Sequence, residues 1–150
     1  MRAVIQRSKQ ASVVVGGNTI AAIDSGLVIL LGIEHDDDEA HGKWLAKKVA
    51  NMRIFNDNNG VMNESAIDQK QAVIVISQFT LHASTKKGNR PSYIKAARPE
   101  HAVPLYHAFI KELADVYGLD VQTGEFGAHM DVHLINDGPV TISLDSQNPE

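Results

Sequence analysis

The stretch HLINDGPVTISLD, residues 133–145, decides the fold, because two strand-like runs flank a pair of residues that disrupt strands. Met130–Ile135 and Val140–Leu144 are rich in the β-branched and apolar residues that favour strands. Gly138-Pro139 stands between them, although proline cannot donate to a sheet ladder and glycine weakens one. The two runs therefore predict two strands, and the residues between them need an explanation.

Two explanations of Asn136-Asp137-Gly138-Pro139 are open from the residues alone. All four residue types favour tight turns, so the first is a turn between two strands. The second is a cis peptide bond before Pro139, an isomer that is nearly confined to X–Pro bonds. A cis bond would turn the chain abruptly and direct two carbonyl oxygens the same way, which would make a rigid acceptor pair for an ammonium group.

The rest of the chain predicts an α+β domain. Strands are expected at residues 1–7, 12–15, 19–23, 27–33 and 72–76. Two or three more close the chain, at residues 121–123 and in the two runs above, so about seven strands are expected. One helix is expected after Asp36–Asp38, and a second from Pro99 to Gly118. Because strands cluster at both ends with the helices between them, we expect a mostly antiparallel, barrel-like sheet. With no repeat or linker, residues 1–150 are expected to form a single domain.

Composition excludes several classes of protein. The chain has no cysteine, which removes disulfides, thiolate catalysis and cysteine zinc sites. No apolar run approaches the ~20 residues that span a bilayer, and the start lacks a signal-peptide pattern. A cytoplasmic protein without a membrane partner is therefore expected.

Charge is unevenly distributed along a chain whose net charge is −4. Five bases fall in thirteen residues with no acid among them: Lys86, Lys87, Arg90, Lys95 and Arg98. Such a segment can dock on a polyanion even when the whole protein is acidic. The acids at residues 34–39 are interpreted as helix caps and a solvated surface, with a metal site as the alternative.

Ser77-Gln78-Phe79-Thr80-Leu81 ends a predicted buried strand and could carry a hydrolytic site. If the segment stays extended, Gln78, Thr80 and His82 share one face. Thr80 would need a base to act as a nucleophile, and His82 is the only local candidate. The alternative interpretation is a strand that runs out into a polar loop.

His129, Asp131 and His133 alternate on one face of a predicted strand. Two imidazoles and a carboxylate can bind zinc, so a metal hydrolase is one hypothesis. The alternative is that these residues form the solvent-exposed face of a half-buried strand, which gives the same pattern.

Five motifs occur in a fixed order: Met1–Arg7, Ser77–Leu81, Lys87–Ser92, Gly124–Ala128 and Asn136–Thr141. With these motifs the chain closely resembles the bacterial D-aminoacyl-tRNA deacylases, also called D-tyrosyl-tRNA deacylases, from residue 1 to about residue 145. A minor departure is Ala22, where relatives often have glycine.

The resemblance implies a homodimeric ester hydrolase that needs no cofactor and no metal. It would release D-amino acids from tRNA, and glycine from alanine tRNA, with its active site at the subunit interface. The implied catalytic residues are Phe79 and Thr80, and the implied substrate-binding residues are Ser77, Gln78, Gly138 and Pro139. In this reading a cis Gly138–Pro139 unit enters the partner's pocket, holds the substrate amino group and blocks an L side chain. The basic segment becomes a candidate contact for the tRNA acceptor end.

Two alternatives stay open within the resemblance. Thr80 is either a nucleophile or a residue whose backbone assists, with the tRNA's own terminal ribose hydroxyl carrying the chemistry; we favour the second. The other alternative is a non-catalytic nucleic-acid-binding relative of the same fold, since eukaryotic relatives have been linked to DNA replication origins.

Overall fold

The sheet is organised around its first strand, which is also its second longest. The computed structural model describes residues 1–149, which contain eight strands and two α-helices. The strands are β1 (Arg2–Val15), β2 (Asn18–Ile23), β3 (Gly26–Gly32), β4 (Phe55–Asn56), β5 (Met62–Glu64), β6 (Ala72–Ser77), β7 (Asp120–Thr123) and β8 (Asp131–Asp145). The helices are α1 (Glu39–Asn51) and α2 (Pro99–Lys111). The predicted strands at 1–7 and 12–15 are one continuous strand.

β1 pairs antiparallel with three strands. β2 and β3 lie end to end along it, since Ile23 faces Ala11 and Gly26 faces Ser8. β8 pairs along almost all of β1 and therefore occupies its other edge. β6 then pairs parallel to β3, and β7 parallel to β6. The α+β fold is confirmed, and the sheet is mixed because two of these five pairings are parallel.

A side chain joins the two ends of the sheet. The Gln122 amide on β7 donates to the Ala22 carbonyl and accepts from the Ala22 N–H, both at 2.8 Å. Gln122 thus makes the pair of hydrogen bonds that a peptide group on a neighbouring strand would make. The sheet is nearly closed in this way, as the predicted barrel-like shape requires.

The helices pack on one face of the sheet and enclose the main core. Asp38 caps α1, accepting from the His41 N–H at 3.1 Å, so the capping interpretation of the acids is confirmed. Pro99 occupies the first turn of α2, a position that needs no N–H donor.

The stretch 133–145 is not two strands joined by a turn. Asn136 faces Ser8 and Thr141 faces Gln6, so residues 137–140 bulge out opposite Arg7 within the single strand β8. The turn prediction is wrong because β1 is long enough to pair with both runs, and the extra residues leave the ladder as a bulge. The Gly138–Pro139 peptide bond is cis.

Candidate active site

A cavity of about 490 Å³ opens where β3 and β6 end. Ligands commonly bind at the carboxyl ends of parallel strands, where the chain leaves the sheet. Its walls are mostly apolar and include Leu31, Ile33, Ile76, Phe126, Met130 and Val132. Three of the predicted site residues, Ser77, Gln78 and Phe79, also line it. An apolar cavity with a few polar groups is the usual form of a ligand site.

The chain turns sharply at the end of β6. The Gln78 N–H donates to the Leu31 carbonyl at 2.7 Å, and Phe79–His82 then form a short 3-10 helix. Gly32 makes room for this turn, because a Cβ there would lie 2.9 Å from the Gln78 carbonyl oxygen and 3.0 Å from His82 Nε2. The segment therefore does not stay extended, so the condition under which Gln78, Thr80 and His82 would share one face is not met.

Within residues 1–149 the Thr80 hydroxyl is hydrogen-bonded to an amide and to no base. Its hydroxyl oxygen accepts a hydrogen bond from the Gln78 side-chain amide. His82 is buried, 1% exposed, and its nearest ionisable group is Glu34, whose Oε1 lies 3.9 Å from His82 Nδ1. Within residues 1–149 neither ring nitrogen of His82 has a hydrogen-bond partner. The hypothesis that His82 activates Thr80 is not supported.

Two backbone donors begin the 3-10 helix that follows the cavity-lining residue Gln78. The first N–H groups of a helix have no partner within that helix, and here they belong to Phe79 and Thr80. Neither meets an acceptor within the described part of the chain. Free N–H groups of this kind stabilise negative charge that develops on an ester oxygen.

Tyr106 supports the cavity wall without carrying protons. Its hydroxyl donates to the Val75 carbonyl at 2.8 Å, and its ring packs edge-on against Phe126 at 5.5 Å between centroids. Burial raises the pKa of Tyr106 to about 12, so the phenol remains a neutral donor at physiological pH. Tyr106 thus fixes β6 and Phe126 relative to each other.

The bulge at residues 137–140, called the β8 corner below, is held from within its own strand. The Asn136 side-chain oxygen accepts from the Val140 N–H at 2.8 Å, and its amide donates to Thr141 Oγ1 at 2.9 Å. Gly138 and Pro139 are nonetheless exposed. The corner is therefore an ordered projection from the surface of the chain.

Arg7, on β1, binds the β8 corner, a role that the sequence analysis did not predict. Arg7 is 7% exposed, and its Nε donates to the Asp137 carbonyl at 3.0 Å and lies 3.2 Å from the Asp137 carboxylate. Its Nη1 donates to the Ile54 carbonyl at 2.5 Å. Its position in the sequence could have indicated that it is buried, because Arg7 follows Ala3 and Ile5 on the inward face of a strand.

One chain does not bring all the expected site residues together. Ser77, Gln78 and Phe79 meet at the cavity with Thr80 beside them. No residue between 136 and 141 lines that cavity. Gly138 and Pro139 are therefore separate from it within a single protomer.

The five basic residues are all exposed: Lys86, Lys87, Arg90, Lys95 and Arg98. None of them makes an ion pair with an acid in residues 1–149. Their charges are thus available to an external anion.

The hypothetical metal site does not form. His129 Nε2 and Asp131 Oδ1 are 3.8 Å apart, but both side chains are exposed. No group of three potential metal ligands converges anywhere in the described residues. The helices of residues 1–149 are also too short or too polar to cross a membrane.

The chain has a nearly closed α+β sheet, an apolar cavity and, beside the cavity, the N–H groups of Phe79 and Thr80. These features place it in the class of small α+β proteins that can hold a ligand through backbone atoms. Within that class the chain belongs to the D-Tyr-tRNA(Tyr) deacylase family, whose model matches residues 4–145.

Individual relatives match along their full length. D-aminoacyl-tRNA deacylases of Bacteroides fragilis (strain YCH46) and Flavobacterium johnsoniae are each 57% identical over 150 residues, covering 100% of both chains. A solved structure described as c-Myc DNA Unwinding Element Binding Protein superposes with a TM-score of 0.92 at 40% identity, covering 97% of this chain and 98% of that one. The fold and the family are thus shown together.

Proposed function

We propose that this protein hydrolyses the ester bond of D-aminoacyl-tRNA, and of glycine attached to alanine tRNA, and so releases free tRNA in the cytoplasm. The observation that carries the proposal is the pair of unpaired N–H groups at Phe79 and Thr80, beside an apolar cavity in a chain of this family. These donors suit the oxyanion that forms when water attacks the ester carbonyl. Ser77 and Gln78 shape the cavity next to them.

The attacking water is activated by the substrate in this proposal. Gln78 donates to the Thr80 hydroxyl, and neither ring nitrogen of His82 has a hydrogen-bond partner within residues 1–149, so His82 does not hydrogen-bond to Thr80. The ribose hydroxyl next to the ester is then the nearest group that can orient water. The protein contributes position and backbone charge stabilisation, which are large terms in catalysis.

Replacing Thr80 by alanine is therefore expected to keep substantial activity. Loss of one side-chain hydrogen bond corresponds to at most about tenfold in kcat/KM. Thr80→Ser is the matched control, because it keeps the hydroxyl, and both variants are compared in single-turnover assays with D-tyrosyl-tRNA. A fall of about a million-fold, as when a true nucleophile is deleted, would assign the chemistry to Thr80.

Handedness is sensed by main-chain atoms of a second protomer in our proposal, which makes the protein a homodimer. The β8 corner supports this, since it is exposed, held by Arg7 and absent from the cavity of its own chain. β8 also pairs only with β1 among the described strands, and it exposes Val132 and Ile135, so a second copy has a surface to cover.

A stiff wedge separates the two enantiomers better than flexible side chains do. L and D residues exchange a hydrogen and a side chain at one carbon, so a fixed backbone rejects one of them by a clash. Glycine has no side chain to reject and therefore passes. Carbonyl oxygens of the corner would hold the substrate ammonium group. The exposed cations Lys86, Lys87, Arg90, Lys95 and Arg98 would contact phosphates of the acceptor end.

The proposal is tested with D- and L-tyrosyl-tRNA, each with and without a chelator. We expect rapid hydrolysis of the D ester, little hydrolysis of the L ester, and no effect of chelation. Equal rates on both esters would contradict the chiral site, and loss of activity on chelation would restore a metal mechanism.

A second function is binding of nucleic acid without turnover. The 40% identical structure described as a DNA unwinding element binding protein and the five unpaired cations favour it. Retention of intact D-tyrosyl-tRNA on the protein, with no release of tyrosine, would select this function over hydrolysis.

A further inference from the structure

Two aromatic rings lie exposed at the mouth of the cavity. Phe79 is 57% and Tyr93 is 39% exposed, and their ring centroids are 5.0 Å apart at an interplanar angle of 75°. Both side chains also line the cavity. A pair of exposed aromatic rings beside a ligand site usually marks a binding surface.

A cationic loop begins beside this aromatic pair. The backbones of Ser84 and Ser92 bond to each other in both directions, at 2.9 and 2.8 Å, and close the loop between them. The loop carries Lys86, Lys87 and Arg90, all exposed and without ion pairs in residues 1–149. Ser92 directly precedes Tyr93, so the base of the cationic loop lies next to the aromatic pair at the cavity.

Aromatic faces next to unpaired cations are the surface that single-stranded nucleic acid requires. Unpaired bases stack on aromatic rings whatever their sequence, while cations track the phosphates. Bases within a duplex are already stacked on each other and have no free face to offer. The charges are also complementary, because the occupant is a polyanion and the loop has no acid.

We propose that Tyr93, supported by Phe79, stacks an unpaired base of the tRNA 3′ end next to the terminal adenosine, while Lys86, Lys87 and Arg90 hold its phosphates. The inference rests on the proposed function and adds which part of the tRNA is recognised. Recognition is then of the single-stranded end rather than of the acceptor duplex. A short D-tyrosyl-CCA trinucleotide should carry most of the binding advantage of whole tRNA.

The first experiment compares D-tyrosyl esters of adenosine, of the CCA trinucleotide and of tRNA. For the wild type we expect kcat/KM to rise steeply from adenosine to the trinucleotide and little further to tRNA. Tyr93→Ala should lower the ratio of trinucleotide to adenosine by roughly tenfold, the usual loss for one stacked base. Tyr93→Phe, which keeps the ring, should restore that ratio.

The second experiment measures the salt dependence of tRNA binding. Alanine at Lys86, Lys87 and Arg90 should reduce the slope of log K against log salt by about 2, at roughly 0.7 for each single-strand phosphate contact. Alanine at Lys43, Lys47 and Lys111, which are exposed on the two helices, removes the same charge and should leave the slope unchanged.

The outcomes separate the two proposals. If wild-type protein hydrolyses none of the three D esters, the proposed function fails. If it hydrolyses all of them but Tyr93→Ala leaves the trinucleotide ratio intact, only the stacking inference is overturned. If Tyr93→Ala halves the mass in sedimentation, the rings belong to the contact between protomers, and the inference is overturned as well.

Discussion

Replacing Gly138 by alanine is expected to lower kcat/KM for D-tyrosyl-tRNA by about 100-fold, the scale of a 1 Å misplacement in an active site. Gly138 has φ +141°, a conformation that L residues rarely adopt. A Cβ there would lie 2.7 Å from Val140 Cγ2 and 2.8 Å from the Val140 backbone nitrogen. Because the second atom belongs to the backbone, the β8 corner itself must shift, and its carbonyls move with it.

The matched control is Gly17→Ala. Gly17 also has a positive φ, +82°, but a Cβ there meets nothing within 4 Å. It should share the backbone cost of the substitution, about 1 kcal/mol, and keep wild-type activity and the preference for D over L. If a folded Gly138→Ala protein keeps the wild-type kcat/KM, the β8 corner is not part of the active site.

Mixing two variants with impaired activity tests whether the site is shared between protomers. Gly138→Ala damages the corner, and Ala128→Trp fills the cavity that Ala128 lines. In a mixed dimer the intact cavity of one protomer meets the intact corner of the other. Random reassociation should then restore roughly a quarter of the wild-type sites, as expected for a twofold dimer. If each site lies within one chain, both protomers stay defective and mixing restores nothing.

Most elements of the fold follow from local sequence pattern, whereas the pairing between them does not. β3 was predicted because Leu27–Leu31 are all apolar, and α2 because Pro99 and Gly118 bound a helical repeat. The parallel pairing of β3 with β6 joins residues more than forty positions apart, and no local period encodes it. The joining of the two runs into β8 is equally non-local, because it depends on the length of β1.

The candidate site was predictable only in part, for the same reason. The motif around Gln78 is contiguous and carried the resemblance, but Phe126, Met130 and Tyr93 reach the cavity from distant parts of the chain. His82 was named as a candidate base because strand alternation was extended beyond Ser77, whereas the chain turns there and His82 comes to lie close to Gly32.

Arg7→Met is the variant with the largest expected combined effect on stability and activity. Methionine keeps much of the volume and removes every donor, so the carbonyls of Ile54 and Asp137 lose the partner they have now. Each buried acceptor left without a partner costs about 1–3 kcal/mol. Two such acceptors correspond to about 2–6 kcal/mol, so we expect Tm to fall by roughly 4–24 °C, at 2–4 °C for each kcal/mol in a chain of this size.

Activity should fall further than stability alone requires, because Arg7 is the buried side chain of β1 that donates to the β8 corner. At a temperature where circular dichroism shows the variant folded, kcat/KM should be lower by about 100-fold. Arg7→Lys keeps one charge but cannot donate to Asp137 and Ile54 in the same fixed fork, so it should be intermediate. Arg53→Met controls for loss of an arginine, since Arg53 is exposed and its Nε donates to the Asn63 carbonyl at 2.7 Å. If Arg7→Met lowers Tm as expected but keeps full activity, Arg7 stabilises the fold without positioning the corner for catalysis.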